Sequence, residues 1–136
     1  MAFYDLPKQE RIHVVAKMSN DILSEIESGK FKNTFSYFAD EDTYIRKSAY
    51  LSIGRLYFSN KRLQPKVIQM LDIFLLQDDF KIRQTVINAA VEIGKRDFGV
   101  VQLFLIRVCL THIILHEMQL LVLSKKWDPR YRANCL

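Results

Sequence analysis

The chain repeats one short segment of its own sequence, and this repeat limits the possible folds more than any other feature. Residues 40–54 read DEDTYIRKSAYLSIG, and residues 78–94 read DDFKIRQTVINAAVEIG. A shift of 37 residues superimposes the two copies. The superimposed pairs are Phe31 with Ile68, Tyr37 with Phe74, Phe38 with Leu75, Asp42 with Asp79, Ile45 with Ile82, Arg46 with Arg83, Ala49 with Val86 and Ile53 with Ala90. A period of a few tens of residues predicts stacked helical hairpins, because one hairpin cannot bury both of its faces alone.

Helix-end signals along the chain favour an all-α fold. Pro7 fits the first position of a helix, and Gly29 is expected to end that helix. Two aspartate pairs are candidate N-caps of later helices: Asp40 or Asp42, and Asp78 or Asp79. Apolar residues recur at helical spacing between these signals: Ile12, Val15, Met18 (or Ser19), Ile22 and Ile26; Phe31, Phe35 and Phe38; Ile45, Ala49, Ile53 and Leu56; Val67, Ile68, Leu71, Phe74 and Leu75; Ile82, Val86, Ala89, Ala90 and Ile93. With 4 glycines and 3 prolines, the chain has few turn residues for an all-β fold.

The period divides the chain into one domain of successive hairpins. We expect residues 1–29 to form an N-terminal cap helix or a degenerate repeat, residues 30–60 repeat 1 and residues 61–96 repeat 2. Residues 97–136 would hold an incomplete third repeat, because no third Asp-x-x-x-Arg appears where the period requires it. We also considered a shifted reading frame over the codons of His116 to Asp128, which starts at the third base of the first codon. This frame permits an Arg and requires a Gly eleven residues later. Our hypothesis is therefore that a frameshift replaced this part of the third repeat.

The repeated segment resembles the HEAT-repeat family. In that family an Asp lies in the turn between helices A and B, and an Arg or Lys lies early in helix B; Asp42 with Arg46 and Asp79 with Arg83 match this pattern. The resemblance covers Phe31 to Leu110, and it implies a right-handed α-α superhelix of short hairpins. The period of 37 is shorter than the usual HEAT length of about 40–47 residues. The run DTYIRKSAYLSIGRLY also resembles bacterial HEAT-like proteins of the alkylpurine DNA glycosylase superfamily.

The Asp and Arg of the repeated segment allow a structural and a chemical interpretation. Structurally, each Asp caps its helix, which is worth about 1 kcal/mol, and each Arg bonds the turn of the neighbouring repeat, so that a ladder forms. Chemically, the two side chains are a reactive acid and its partner. A pair that recurs belongs to the repeat rather than to one site, which favours the structural interpretation.

Charge points to an anion-binding or protein-binding surface. The chain carries a net charge of +5, and residues 43–77 alone hold six basic residues against Asp72, which also gives +5. In solenoids that resemble this chain, helix B lines the concave face. The candidate binding surface on that basis comprises Arg46, Lys47, Tyr50, Arg55, Lys61, Arg62, Lys66, Gln84, Asn88 and Lys95.

Two functions follow from this surface. The first is a non-enzymatic binding or scaffold module whose partner is a protein. The alternative is a DNA-binding protein, since Lys and Arg neutralise phosphates. The resembling glycosylases hold a lesion with tryptophans and an Asp on the concave face, whereas the sole tryptophan here is Trp127, in the atypical tail. Base excision is therefore not expected.

The histidines and cysteines favour neither catalysis nor a cofactor. His112 and His116 have the spacing of helical zinc ligands, but Glu117 follows them, whereas in His-Glu-x-x-His it lies between them. A metal enzyme is the least favoured class. Cys109 and Cys135 make no disulfide framework or metal box, and Cys109 is expected to be buried packing. We predict no catalytic residue, no metal and no cofactor.

Targeting signals are also missing from the sequence. The segment at residues 1–11 has no apolar core like that of a signal peptide. The most apolar stretch, Val100 to Leu123, contains Arg107 and Glu117, which a membrane span rarely tolerates. A cytoplasmic protein without a membrane partner is therefore expected, with self-association through the apolar C-terminal segment as a further possibility.

Overall fold

The computed structural model describes residues 2–102 and 104–110 of the chain. All regular structure in these residues is helical, as predicted. The elements are a 3-10 turn at Phe3–Asp5, α1 at Lys8–Ser28, α2 at Lys32–Phe38, α3 at Thr43–Ser59, a second 3-10 turn at Lys61–Leu63, α4 at Gln64–Leu75 and α5 at Phe80–Gly94. Residues 98–102 and 104–110 are helical as well. The chain divides into two compact units, Met1–Phe104 and Leu105–Leu136.

The first helix begins and ends almost where the sequence indicates. Gly29 ends α1 with a φ of 78°, and its N–H donates to the Glu25 carbonyl at 2.8 Å. This left-handed conformation carries no steric cost for glycine. Pro7 is the N-cap, one position before the predicted one, because its ψ of 152° is extended and so outside the helix. The apolar spacing of α1 predicts that Ile12, in the second turn, lies on the buried side of the helix. This residue is instead 52% exposed, so the buried face of α1 is shorter at this end than the spacing indicates.

Helices α1, α3 and α5 are successive neighbours, with α3 between the other two. The Ser19 and Ser52 hydroxyls join α1 to α3 at 2.9 Å. Between α3 and α5 the approach is close at Gly54, where an added Cβ would lie 3.2 Å from the Cβ of Glu92. A glycine at this position therefore lets the two backbones come near each other.

Helices α2 and α4 meet through an aromatic cluster centred on Phe74. The Phe74 ring stacks on Phe35 at a centroid distance of 4.1 Å. It also meets the edges of Phe31 at 5.5 Å and Phe38 at 5.2 Å. Such stacked and edge-to-face pairs are the preferred arrangements of aromatic rings. Phe74 is fully buried, so this cluster forms part of the core of the first unit.

A buried carboxylate joins α1 to α2. Glu25 accepts from the backbone N–H of Asn33 at 2.5 Å and from the N–H of Thr34 at 3.1 Å. The Thr34 hydroxyl donates to the same carboxylate at 3.0 Å. Because Phe31 at the N-cap of α2 makes no side-chain cap bond, Glu25 satisfies the free N–H groups of that helix from a distance.

The 37-residue equivalence holds in the cores of α3 and α5 but not in α2 and α4. Ala49, Ile53 and their counterparts Val86 and Ala90 are all fully buried. In contrast, α2 has 7 residues and α4 has 12. The buried Phe74 of α4 corresponds to the half-buried Tyr37 of α2, whose hydroxyl donates to Asp21 at 2.6 Å. The two copies therefore share their second helix more closely than their first.

Candidate binding site

The aspartate of the repeated segment makes the same N-cap contact in both copies. Asp42 caps α3 by accepting from the Tyr44 N–H at 2.9 Å, and Asp79 caps α5 by accepting from the Lys81 N–H at 2.8 Å. Of the two aspartates expected in each turn, these are the N-caps.

The arginines bond their own turns, so the expected ladder to the neighbouring repeat is wrong. Arg46 donates to the carbonyl of Asp40, and Arg83 donates to the carbonyl of Gln77 at 2.8 Å. Each acceptor lies six residues before its arginine. Each guanidinium extends back past the N-cap of its own helix. Other side chains make the hydrogen bonds to the adjacent hairpin.

Lys81 and Thr85 of the second copy instead bond to the turn of the first copy. Lys81 pairs with Glu41 at 2.6 Å, and the Thr85 hydroxyl donates to the carbonyl of Phe38 at 3.2 Å. The Glu41 carboxyl is exposed, so this ion pair contributes modestly. Its hydrogen bond to Lys81 lowers the pKa of Glu41 and raises the pKa of Lys81.

Asp42 also holds the N-terminal segment. Its carboxylate accepts from the backbone N–H of Phe3 at 2.6 Å, in addition to its cap bond. This backbone donor is the main cause of a lowered pKa for the Asp42 carboxyl. The aspartate therefore serves as an ionised acceptor for two backbone segments, which is a structural role.

A groove lies between the C-terminal halves of α3 and α5, and we call it the α3–α5 groove. Its volume is about 580 Å³. The residues that line it are Leu51, Gly54, Arg55, Phe58, Ser59, Glu92, Lys95 and Arg96. It follows from the close approach of the two helices at Gly54.

The groove carries excess positive charge. Three cations, Arg55, Lys95 and Arg96, line it against one carboxylate, Glu92, so its formal charge is three minus one, or +2. The Lys95 ammonium pairs with Glu92 at 2.7 Å, and the Arg96 guanidinium lies 5.4 Å from the centre of the Phe58 ring. The exposed Arg55 donates to the Ser52 hydroxyl at 3.3 Å, a contact that leaves most of its donors to a ligand.

The structure brings together only part of the predicted surface. Arg55 and Lys95 both line the α3–α5 groove. The exposed Lys47 and Asn88 lie seven to eight residues before them, on the same helical stripes, and Gln84 lies one turn before Asn88. All five positions are exposed, and they lie on α3, on α5 and at the C-cap of α5.

The remaining predicted residues lie apart from the groove or are engaged elsewhere. Arg46 is bonded to its turn, and Tyr50 is half-buried. Lys61 and Arg62 are exposed in the second 3-10 turn. Lys66 in α4 reaches the Glu27 carbonyl at 3.5 Å. The +5 charge of residues 43–77 is therefore spread over several surfaces.

Phe58, Glu92 and Arg96 belong to the groove, although the sequence analysis did not include them. The signal for them lies in the superposition itself, because its agreement fails at the helix ends. In the alignment of the two copies, Arg55 corresponds to Glu92, and Phe58 corresponds to Lys95.

The described residues contain no cluster of three or more potential metal ligands. Cys109 is exposed, so the expectation that it packs in a core is wrong. His112, His116, Glu117, Trp127 and Cys135 lie outside the described residues, as do the frameshift hypothesis and most of the apolar C-terminal segment. Within residues 2–102 and 104–110, no helix is both long and apolar enough to cross a membrane.

Comparison with known proteins gives no relative for this chain. It matches no family model, no curated protein and no solved structure. A function must therefore be inferred from the α3–α5 groove and from the contacts of the two turns.

Proposed function

We propose that the chain is a HEAT-type helical repeat whose hairpins form a right-handed superhelix. Two observations support this proposal: α1, α3 and α5 are successive neighbours, and the same Asp and Arg contacts recur in both turns. In this arrangement α2 and α3 form one hairpin and α4 and α5 the next. Helix α1 takes the place of a second helix, as a degenerate first repeat would.

The function is that of a non-enzymatic binding module, and its ligand is an acidic segment of a partner protein. The observation that carries this function is the α3–α5 groove, where Arg55, Lys95 and Arg96 surround apolar surface from Leu51 and Phe58. An acidic segment places carboxylates against the cations, while its apolar side chains cover the groove floor. Repeats suit this role because stacking produces an extended surface.

Nucleic acid is the second candidate ligand. The observation in its favour is the same cluster of cations beside the half-buried ring of Phe58, since cationic grooves track phosphates and aromatic rings stack on bases. In this candidate the protein binds a nucleic acid without excising a base.

Part of the positive charge has a structural effect as well. Lys95 is the C-cap of α5, and Arg96 follows it, so both lie at the negative end of the helix dipole. A cation there stabilises a helix by about 0.3–1 kcal/mol. Any binding test must therefore confirm that charge variants remain folded.

The test compares two probes in fluorescence anisotropy: a fluorescein-labelled polyglutamate peptide and a fluorescein-labelled DNA duplex, at low and at physiological salt. We expect saturable binding of polyglutamate that falls about tenfold or more in Arg55→Glu/Lys95→Glu. The matched control is Lys30→Glu/Lys32→Glu, which makes the same charge change in the exposed segment at the start of α2. Circular dichroism checks the fold of each variant.

The outcome separates the two candidates. Tighter binding of DNA, with a steep loss of affinity as salt increases, favours nucleic acid. Equal weakening in both double variants contradicts a localised groove, because only the net charge would then matter. If neither probe binds at low salt, the groove is not an anion-binding site.

A further inference from the structure

The turn between α4 and α5, together with the first residue of α5, presents the two most exposed large apolar side chains of the described residues. Leu76 is 74% exposed and Phe80 is 65% exposed. Asp78, also exposed, lies between them. We call Leu76, Asp78 and Phe80 the apolar knob. Large apolar side chains grouped with a charge on the surface are typical of contact sites.

The repeat itself does not require this knob. In the preceding copy, the position of Leu76 is Ala39 and the position of Phe80 is Thr43. Both turns nevertheless have the same Asp cap and the same arginine contact. The turn therefore folds with a small and a polar side chain at these two positions, so its fold does not require the large apolar side chains of the second copy.

A second groove, separate from the α3–α5 groove, lies where the first 3-10 turn meets α1. We call it the N-terminal groove. Its volume is about 530 Å³, and Phe3, Lys8, Arg11, Ile12, Val15 and Ala16 line it. Four of these side chains are apolar, and the two charged ones are both cations. The groove thus has the opposite charge to the apolar knob and a matching apolar surface.

Arg11 in this groove lacks an acceptor for one buried donor. Its guanidinium lies 5.0 Å from the centre of the Tyr4 ring, and its Nε atom is buried with no hydrogen-bond partner among the described residues. A buried donor without a hydrogen-bond partner is energetically unfavourable. A carboxylate that enters the groove would supply an acceptor to the guanidinium and would pair with its charge.

We propose that the apolar knob of one copy of this chain docks in the N-terminal groove of a second copy. Phe80 and Leu76 cover the exposed Ile12 and the apolar floor of the groove, while Asp78 pairs with Arg11. The occupant is a second copy because the chain itself supplies a segment with both the carboxylate and the apolar side chains that the groove fits. Within one chain the knob does not line this groove.

The contact joins two different surfaces, so it is heterologous. Such a contact either closes a ring or builds an open chain, unless two copies exchange it reciprocally. Charge complementarity sets its register, and the apolar surface contributes its affinity.

Sedimentation velocity of the full chain from about 1 to about 200 µM tests the proposal. We expect the average mass to increase with concentration above the 16.0 kDa monomer. Phe80→Asp and Ile12→Asp should each weaken this association about tenfold or more. Val91→Asp is the matched control for Ile12→Asp, because Val91 is a helical residue of similar exposure, 45%, outside both the knob and the groove.

A charge exchange tests the pairing of Asp78 with Arg11. Arg11→Asp and Asp78→Arg should each weaken association, and an equimolar mixture of the two variants should restore it. Asp78 is exposed, so Asp78→Arg keeps the test valid even if Arg11→Asp disturbs the fold. A monomer at every concentration would overturn the proposal. So would association that Phe80→Asp and Ile12→Asp leave unchanged, which would point to another surface such as the C-terminal segment.

Discussion

The Arg83 guanidinium donates to the carbonyl of Gln77 at 2.8 Å, so this arginine ties down the turn that precedes its own helix. Arg46 does the same to the carbonyl of Asp40. In both copies the Asp satisfies free N–H groups at the helix start, and the Arg satisfies a carbonyl of the turn. The repeated Asp and Arg therefore stabilise the same tight turn in both copies. This role does not depend on the surface residues at which the two copies differ.

Removing a cap aspartate should destabilise the protein. We expect Asp79→Ala to lower the free energy of unfolding by about 1 kcal/mol, because the Lys81 N–H loses its acceptor. Urea unfolding at low protein concentration measures the change. Asp78→Ala is the control: this exposed neighbour is not the cap, and its replacement should change the free energy by less than about 0.5 kcal/mol. Equal losses in the two variants would contradict the assignment of Asp79 as the cap.

Asp42 should make stability depend on pH in the acidic range. Its folded-state pKa is lowered, chiefly by the backbone N–H of Phe3, so its stabilising contribution is present above the unfolded pKa of about 3.9. The contribution is lost as pH falls through the lower folded pKa. Asp42→Asn keeps a capping side chain but does not titrate there, so its unfolding free energy should fall less than that of the wild type between about pH 6 and pH 2. Identical pH profiles would show that Asp42 is not a coupled acceptor.

Glu25 should be more important for stability than any exposed carboxylate. Glu25→Ala leaves the N–H groups of Asn33 and Thr34 without their acceptor, and we expect a loss of about 2–3 kcal/mol in the free energy of unfolding. Glu25→Gln keeps one amide oxygen and should lose less. Glu27→Ala, an exposed change two residues away in the same helix, is the control. A loss from Glu25→Ala no larger than the loss from Glu27→Ala would exclude the remote-cap role.

Two glycines near the end of α5 should respond oppositely to alanine. A Cβ at Gly94 would lie 2.9 Å from the Cγ2 atom of Val101, a stiff and fully buried side chain, so Gly94→Ala should cost about 1 kcal/mol or more. At Gly99 an added Cβ meets nothing within 4 Å, and the residue is helical. Gly99→Ala should therefore stabilise the protein by about 0.5–1 kcal/mol. Thermal unfolding of both variants measures the difference, and a stabilising Gly94→Ala would contradict the close packing at that position.

Much of the helical structure follows from local signals in the sequence. Gly29, Asp42 and Asp79 lie at helix ends for reasons of backbone conformation and capping that a single sequence shows. The core of α3 and α5 follows from apolar spacing, because two copies of the same pattern reinforce each other.

Long-range contacts could not be predicted in the same way. In the sequence, Glu25 has no feature that distinguishes it from other helix residues. Its capping role depends on the position at which α2 packs against α1. The partner of Arg83 is a backbone carbonyl, which no residue type identifies. The α3–α5 groove requires Phe58 and Arg96 as well as Arg55 and Lys95, and these come together through the close approach at Gly54.

Mapping by ¹H–¹⁵N NMR tests the role of the α3–α5 groove most directly. The labelled protein is titrated with the polyglutamate peptide, and the amide shifts are followed residue by residue. The proposed function predicts that the largest shifts occur at Gly54, Arg55, Phe58, Lys95 and Arg96. Shifts spread evenly over all exposed lysines and arginines, or concentrated away from α3 and α5, would contradict the groove as the binding site.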